Sequence, residues 1–345
     1  MPFLSVLDQS PVPSGSSAPK ALANSVELAV LAERLGYRRY WVAEHHSTTG
    51  LAGSAPEILV GHLASATSAI RVGSGGVMLP HYSAYKVAEQ FKLLEALHPG
   101  RIDLGIGRAP GGSPLSSLAL QRERDHRVGD DFASQLAELG AWLDDGFPPE
   151  HPFARLRATP STPRRPDLWL LSSSGYSASA AAQAGAGLAW ANFISAEGGP
   201  EAISHYRATF RPGQRREPEA ALAVSVVCAR SAEEADLLAK SADLWRLRLR
   251  DGSGDPGLVP SVEEALSVRL SAAERATIEA NRSRLVVGDP DTVRERLEHL
   301  AKLHGVGEVI VVTIVHDHLA RLESYRLLAE SFGLVDDASA PPGRR

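Results

Sequence analysis

The sequence predicts a (β/α)8 TIM barrel, in which eight parallel strands close into a sheet surrounded by helices. The first observation is that short apolar or β-branched segments alternate with longer segments rich in alanine and leucine. Such repetition implies parallel strands joined by crossover helices. The second is the number of strand segments, which is eight. The third is the length of 345 residues, which leaves room for insertions beyond the roughly 250 residues of a typical barrel. An open, doubly wound sheet shares the alternation but not the count.

The elements follow one another in this alternation along the whole chain. Strands are predicted over residues 4–7, 39–43, 70–73, 102–106, 168–171, 187–191, 223–228 and 308–313. Helices are predicted over residues 19–35, 56–67, 85–97, 177–184, 232–242, 292–304 and 319–332. Residues 1–335 are therefore expected to form one domain, and residues 336–345 a disordered tail.

Two insertions account for the surplus length. Residues 109–166 follow strand four and contain a helical segment and a proline-rich end, and residues 247–285 follow strand seven. Insertions on loops after barrel strands build the walls of active sites. Both are therefore expected to surround the functional site.

Composition excludes several classes of protein. With 43% hydrophobic and 22% charged residues, the chain has the balance of a soluble globular protein. A net charge of −5 argues against a nucleic-acid surface, and the single cysteine, Cys228, excludes a disulfide framework. No segment approaches the roughly 20 apolar residues that span a bilayer, and the N-terminus lacks a signal-peptide pattern. We expect a cytoplasmic protein with neither a nucleic-acid nor a membrane partner.

Strand two ends in a histidine pair, within WVAEHH (41–46). The chemistry of a barrel lies at the C-terminal ends of its strands, where a histidine can exchange a proton near neutral pH. Because side chains alternate along a strand, His45 and His46 are expected to point in different directions unless the strand has already ended. The residues alone leave open whether His45 is catalytic or a hydrogen-bonded rim residue.

Strands three and four end in glycine-rich segments, GSGGVMLP (73–80) and DLGIGRAPGG (103–112). Glycines at a strand end indicate backbone that bends or lies close against a flat group. Their spacing is not the dinucleotide fingerprint, and a bulge before a loop is the simpler interpretation of the first segment. Arg108 is a candidate phosphate clamp, because its planar guanidinium binds phosphate oxygens in pairs. A surface salt bridge is the alternative.

Strand five ends in SSSGYS (172–177) and runs into a predicted helix. Hydroxyl groups and free backbone N–H groups at a helix N-terminus form an anion site, helped by the helix dipole. A single serine would be explained as an N-cap. Four serines with a glycine favour phosphate binding.

These segments carry a family resemblance over nearly the whole chain. The closest runs are WVAEHH (41–46), IRVGSGGVMLP (70–80) and RIDLGIGR (101–108), with SSSGYS (172–177) as a weaker fourth. The chain resembles the bacterial-luciferase-like flavin-dependent monooxygenases. It is more similar to the single-chain branch of that family than to a light-emitting subunit.

The resemblance implies a reduced FMN bound at the C-terminal mouth of the barrel, and no metal. His45 falls on the position of the family's catalytic histidine, and Gly75 and Gly76 fall on a non-proline cis peptide beneath the flavin ring. The residues that match the cofactor's phosphate site, with those between them, are Arg108, Ser173, Ser174, Gly175, Tyr176 and Ser177. Ser173 stands where luciferases carry a carboxylate, and Arg127 is the candidate for a second family arginine.

The implied activity is that of a monooxygenase. Reduced FMN from a separate flavin reductase, together with O2, would place one oxygen atom in a small organic substrate such as an aldehyde. His45 would be the acid–base catalyst, and the two insertions would form the substrate wall and a lid. The resemblance also implies a homodimer. The serine at position 173 leaves open whether the cofactor is FMN or the deazaflavin F420.

Three other functions remain open. An F420-dependent hydride transferase shares the fold and much of the phosphate site and needs no O2. A non-catalytic flavin-binding subunit would keep the barrel, although His45 beside the Gly75–Gly76 pair weighs against it. A metal-dependent hydrolase is disfavoured, because strand one ends in LDQS (7–10) without a histidine pair. Asp317, in HDH (316–318), is instead expected to cap the last helix.

Overall fold

The computed structural model describes residues 1–121, 131–144, 146–213, 215–249 and 255–334, which form one sheet surrounded by helices. The strands are β1 (Phe3–Asp8), β2 (Arg39–Val42), β3 (Arg71–Met78), β4 (Ile102–Gly107), β5 (Asp167–Ser172), β6 (Gly187–Ala191), β7 (Ala220–Cys228), β8 (Leu285–Gly288) and β9 (Glu308–Val312). All but β8 close into a barrel, because β1 pairs with both β2 and β9, and β6 pairs with β7. Every pairing is parallel, so the predicted TIM barrel is confirmed.

The helices lie on the outside of the sheet and in the two insertions. They are α1 (Ala18–Arg34), α2 (Pro56–Ala66), α3 (Ala84–Leu97), α4 (Pro114–Leu120), α5 (Phe132–Asp144), α6 (Gly175–Ala184), α7 (Gly199–Thr209), α8 (Ala232–Arg248), α9 (Val262–Ser267), α10 (Ala272–Arg282), α11 (Pro290–His304) and α12 (His318–Ser331). Among the helices of the described ranges, none is long and apolar enough to cross a bilayer.

Local sequence signals explain where several helices begin and end. Asp317 accepts a hydrogen bond from the backbone N–H of Ala320 at 2.7 Å, so the predicted cap of the last helix is confirmed. Gly185 and Gly305 follow α6 and α11 with φ angles of 61° and 63°. Glycine adopts this left-handed conformation without a steric penalty, which is why both helices stop there.

The second insertion contains two helices and leads into a ninth strand. Residues 247–285 contain α9 and α10 and end at Leu285, the first residue of β8, which the sequence analysis missed. Residues of β8 pair with the C-terminal half of β7, from Ser225 to Cys228. Helix α6 also begins at Gly175, two residues earlier than predicted. The predicted tail at 336–345 lies outside the described residues.

The barrel interior is filled unevenly, and this creates the cavity. Trp41 and Trp169 are fully buried and pack edge to face, with ring centroids 5.4 Å apart. On β6 and β7 the interior positions are small, at Ala189, Ala221 and Ala223. Large side chains therefore close one side of the interior, while alanines leave space on the other.

A buried charge network closes the N-terminal end of the barrel. Arg39, the first residue of β2, donates to Glu308 at 2.7 Å and to Asp103 at 3.0 Å. Burial opposes the charge of Arg39, but Asp103 and Glu308 outweigh it and raise its pKa. The connected groups are four arginines and four carboxylates: Arg38, Arg39, Arg71, Arg215, Asp103, Asp167, Glu219 and Glu308. The charge network at this end contributes to stability rather than to catalysis, because chemistry in barrels occurs at the other end.

Candidate functional site

A cavity of about 490 Å³ opens at the C-terminal ends of the strands. Its volume falls within the range of small-molecule sites. The wall is mostly apolar, with Leu7, Trp41 and Ile310 at its base and Phe193 and Ile194 at its rim. The predicted site residues that line it are His45, Gly75, Arg108, Ser173, Ser174 and Ser177. The structure therefore brings together residues that lie in β3 or follow β2, β4 and β5.

His45 lies in the loop after β2 and forms part of the cavity wall. Its backbone N–H donates to the carbonyl of Gly53 at 2.8 Å, which fixes the loop. Its Nδ1 atom is buried and has no hydrogen-bond partner among the described residues. Burial, and to a lesser degree the neighbouring His46, lowers the pKa of His45 to about 4. The imidazole is therefore neutral at pH 7, and its buried Nδ1 atom is left without a hydrogen-bond partner among the described residues.

His46 does not line the cavity, because Glu44 holds its side chain elsewhere. Glu44 is fully buried, and its carboxylate accepts a hydrogen bond from His46 Nε2 at 2.7 Å. The same carboxylate accepts from the Tyr82 hydroxyl at 2.7 Å and from the backbone N–H of Met78 at 2.9 Å. Glu44 thus ties the loop after β2 to the end of β3. The two histidines differ in direction although β2 has ended at Val42.

The end of β3 forms a flat section of the wall. The peptide bond between Gly75 and Gly76 is cis, as the resemblance implies, and the register with β4 shifts at this point. A Cβ atom at Gly75 would lie 2.6 Å from Leu7 Cδ1, and one at Gly76 would lie 2.6 Å from the carbonyl oxygen of Gly105. Neither position can hold a larger residue without moving its neighbours. Gly75 lines the cavity, whereas Gly76 lies behind it.

The ends of β4 and β5 form a polar corner with the features of an anion site. Ser174 is the N-cap residue of α6, but its side chain makes no capping hydrogen bond. The first N–H groups of the helix are therefore not capped by the side chain of Ser174, which lines the cavity. Ser177, in the first turn, is buried with its hydroxyl in the wall. The simple explanation of the serines as a helix cap is wrong.

Arg108 stands on the same corner. Its guanidinium lies over the ring of Tyr176, with 4.2 Å between Cζ and the ring centroid. Tyr176 and Gly175 themselves lie beside the wall rather than in it. Arg127, the candidate for a second arginine, lies outside the described residues.

The sequence analysis missed two residues of the cavity wall and one arginine outside the wall. Gln9 follows β1, and Ile194 follows β6, and both line the cavity without any motif that marks them. Arg246, near the end of α8, donates from Nη2 to the hydroxyl of Ser225 at 2.6 Å. An arginine in a charged helix has no signal in sequence, because only the fold brings it over the barrel.

Comparison with known proteins gives a consistent family. The luciferase-like monooxygenase family profile matches residues 1–306. The chain is similar to the N-acetyl-S-alkylcysteine monooxygenase of Bacillus subtilis (strain 168), with 41% identity over 332 residues, 95% of this chain and 97% of that protein. It is 39% identical over 324 residues to the luciferase-like monooxygenase of Escherichia coli (strain K12), with 94% and 95% covered. The solved structure of apo-MsnO8 matches with a TM-score of 0.86 at 42% identity, covering 97% of this chain and 98% of that one.

Two more distant structures share the fold. One is the oxygenating constituent of 3,6-diketocamphane monooxygenase from Pseudomonas putida in complex with FMN, with a TM-score of 0.67, 19% identity and 99% of both chains covered. The other is an F420-dependent secondary alcohol dehydrogenase in complex with an F420–acetone adduct, with a TM-score of 0.70, 14% identity, and 96% and 98% covered. At these identities the likeness extends to the fold alone.

Proposed function

Because the chain belongs to the luciferase-like monooxygenase family, we propose that it uses reduced FMN and O2 to oxygenate a small organic substrate. One observation carries the proposal. The buried Nδ1 of His45 has no partner among the described residues, and His45 lines the same cavity as Arg108 and Ser177. A buried polar atom left without a partner, on a residue that lines a cavity beside an anion site, indicates a functional rather than a structural role.

The residues present fit FMN in two respects. The polar corner offers Arg108, the Ser173, Ser174 and Ser177 hydroxyls and the N-terminus of α6, which together suit a phosphate dianion. The backbone at Gly75 offers a flat surface without a side chain, which suits a planar ring system. When bound, reduced FMN supplies two electrons to O2, so that one oxygen atom enters the substrate and the other leaves as water.

The residues of the chain would bind and orient the cofactor and the substrate, and would exclude water from the reacting atoms. His45 is neutral at pH 7 because burial, with His46, lowers its pKa to about 4. A neutral imidazole donates a hydrogen bond from one ring nitrogen and accepts one at the other. His45 can therefore receive a proton at its unprotonated ring nitrogen and return it. The apolar wall from Trp41 to Phe193 keeps water from the reacting atoms.

Two chemical groups of the substrate are candidates for the oxygenated position. An aldehyde-like carbon is the expectation from the luciferase-like resemblance. A thioether sulfur is favoured by the 41% identical relative named N-acetyl-S-alkylcysteine monooxygenase. Both reactions need the same delivery of reduced FMN.

A separate flavin reductase is the proposed partner, and a homodimer the proposed assembly. The FMN-bound structural neighbour is described as an oxygenating constituent, a name that fits a system in which another protein reduces the flavin. F420 is the alternative cofactor, since the F420-dependent neighbour has the same fold. FMN is preferred because the relatives at 39% and 41% identity are both named monooxygenases.

The test begins with binding. The purified protein is titrated under anaerobic conditions with FMN, riboflavin, reduced FMN and reduced F420, and reduced FMN is expected to bind far more tightly than riboflavin. Selective binding of reduced F420 would replace the proposal with hydride transfer.

Turnover is measured next with a flavin reductase, 18O2 and two probes, decanal and N-acetyl-S-methylcysteine. Mass spectrometry is expected to find one 18O atom in a product of either probe. If bound reduced FMN reacts with O2 at the rate of free flavin and no label enters either probe, the protein is a flavin-binding subunit without oxygenase activity.

A further inference from the structure

An arginine near the end of α8 hydrogen-bonds to a strand of the barrel. Ser225 lies on β7, two residues beyond Ala223, and is fully buried. Because side chains alternate along a strand, Ser225 faces the same side as Ala223, which lines the cavity. Arg246 donates to the hydroxyl of Ser225 at 2.6 Å. Its guanidinium is therefore bonded to the inward-facing side of β7, two residues along the strand from Ala223 of the cavity wall.

Arg246 has no carboxylate within ion-pair distance in the part of the chain that the structure describes. Asp243, one turn earlier on α8, is already bound in two places by Arg282, at 2.6 and 2.7 Å. Burial lowers the pKa of Arg246 to about 10; Asp243 opposes this, while Arg284 and Arg282 add to it. The guanidinium remains protonated at neutral pH, so the rim holds a largely buried cation beside a neutral hydroxyl.

A second cation, Arg284, also has neutral hydrogen-bond partners among the described residues. Arg284 donates to the carbonyl of Ile194 at 2.9 Å and to the side-chain oxygen of Asn281. Ile194 lines the cavity. Within the described residues, neither Arg246 nor Arg284 forms an ion pair, and for Arg246, which is largely buried, a desolvated charge without an anion is unfavourable. The rim at β6 and β7 is thus complementary to an anionic group.

The position of this rim separates it from the phosphate corner. The corner lies at the ends of β4 and β5, whereas Ser225 is on β7. In a closed barrel of eight strands, β7 lies opposite β3, where Gly75 forms the flat wall. An anion bound at Arg246 would therefore hold a molecule across the mouth from the proposed flavin surface.

We propose that Arg246, assisted by Arg284, binds the carboxylate of the organic substrate, so that the oxygenated molecule is a small carboxylic acid. The planar fork of arginine matches the two oxygens of a carboxylate. The inference rests on the proposed function and specifies the substrate class for that cavity. Arg246 would act in specificity, and the oxidised atom would lie between it and His45.

The proposal is tested by calorimetry, which measures the binding of small acids to the flavin-free protein and to the FMN-saturated protein. The probes are matched acid and carboxamide pairs: N-acetyl-S-methylcysteine, N-acetyl-S-benzylcysteine and octanoic acid. At least one acid is expected to bind on the order of 10- to 100-fold more tightly than its amide. Arg246→Met should reduce that preference to about twofold or less, and Arg284→Met should reduce it in part. Arg275→Met, an exposed position on α10, is the matched control and should keep the full preference.

Three results would overturn the proposal. One is the absence of any acid preference in the parent protein, and another is a preference that survives both Arg246→Met and Arg284→Met. The third is a variant that loses FMN affinity while acid binding is unchanged, which would assign Arg246 to the cofactor. Failure of the oxygenase proposal would appear separately, as acid-selective binding without 18O incorporation.

Discussion

Desolvation of His45 predicts a specific dependence of stability on pH. The pKa of His45 is about 4 in the folded protein and about 6.5 in an unfolded chain. As the pH falls, the unfolded state takes up this proton first, so the free energy of unfolding decreases between about pH 6.5 and pH 4. At pH 5 the two pKa values give a loss of about 2 kcal/mol, against about 0.2 kcal/mol at pH 7.

The comparison variant is His45→Gln, which keeps a polar side chain of similar size but removes the titrating group. All other titrating groups are shared with the parent protein and cancel in the difference. Urea unfolding of both flavin-free proteins is followed by tryptophan fluorescence at pH 7 and pH 5. The parent should lose about 2 kcal/mol more stability than the variant over this interval. Equal losses would mean that water solvates His45, and the argument for a dry cavity wall would be wrong.

Three further outcomes are expected. Arg108→Ala should weaken FMN binding by about 1.5–3 kcal/mol and leave riboflavin nearly unchanged, as measured by fluorescence titration; equal affinity of the parent for both flavins would contradict the phosphate assignment. His45→Ala should still bind FMN but yield less product and more hydrogen peroxide per reduced flavin, with a smaller change in His46→Ala, and an unchanged product ratio would make His45 a rim residue. Arg39→Met should cost about 3–5 kcal/mol in urea unfolding, because two carboxylates lose their shared buried cation; a loss below about 1 kcal/mol would contradict this.

The fold was largely predictable because the strand signal is strong in parallel sheets. Both faces of each barrel strand are covered, so strands such as β2 and β7 appear as short apolar segments between longer helical patterns. Strand β8 was missed because its four residues, LVVG, follow a polar helix and are too few to produce a period. Only the tertiary pairing with Ser225–Cys228 makes that segment a strand.

The site was predictable where its residues form a recognisable local pattern in the sequence. The glycine pair at positions 75 and 76 and the serines that open a helix are visible in a single sequence, and the resemblance built on them is confirmed at the level of the family. The role of Glu44 was not visible. Its three hydrogen-bond donors come from separate segments, at His46, Met78 and Tyr82, and only the fold brings them to one carboxylate.

The two ends of the barrel differ in whether their charged side chains are paired with groups of opposite charge. At the N-terminal end, four arginines face four carboxylates in a connected network around Arg39. At the C-terminal end, Arg246 and Arg284 have neutral partners among the described residues, and the Nδ1 atom of His45 has no hydrogen-bond partner there. A buried cation that is already paired with a carboxylate gains little free energy from binding a ligand. A buried cation without an anionic partner gains a favourable interaction when an anionic ligand binds. The balanced end therefore maintains the barrel, and the unbalanced end leaves charge for the cofactor and substrate to neutralise.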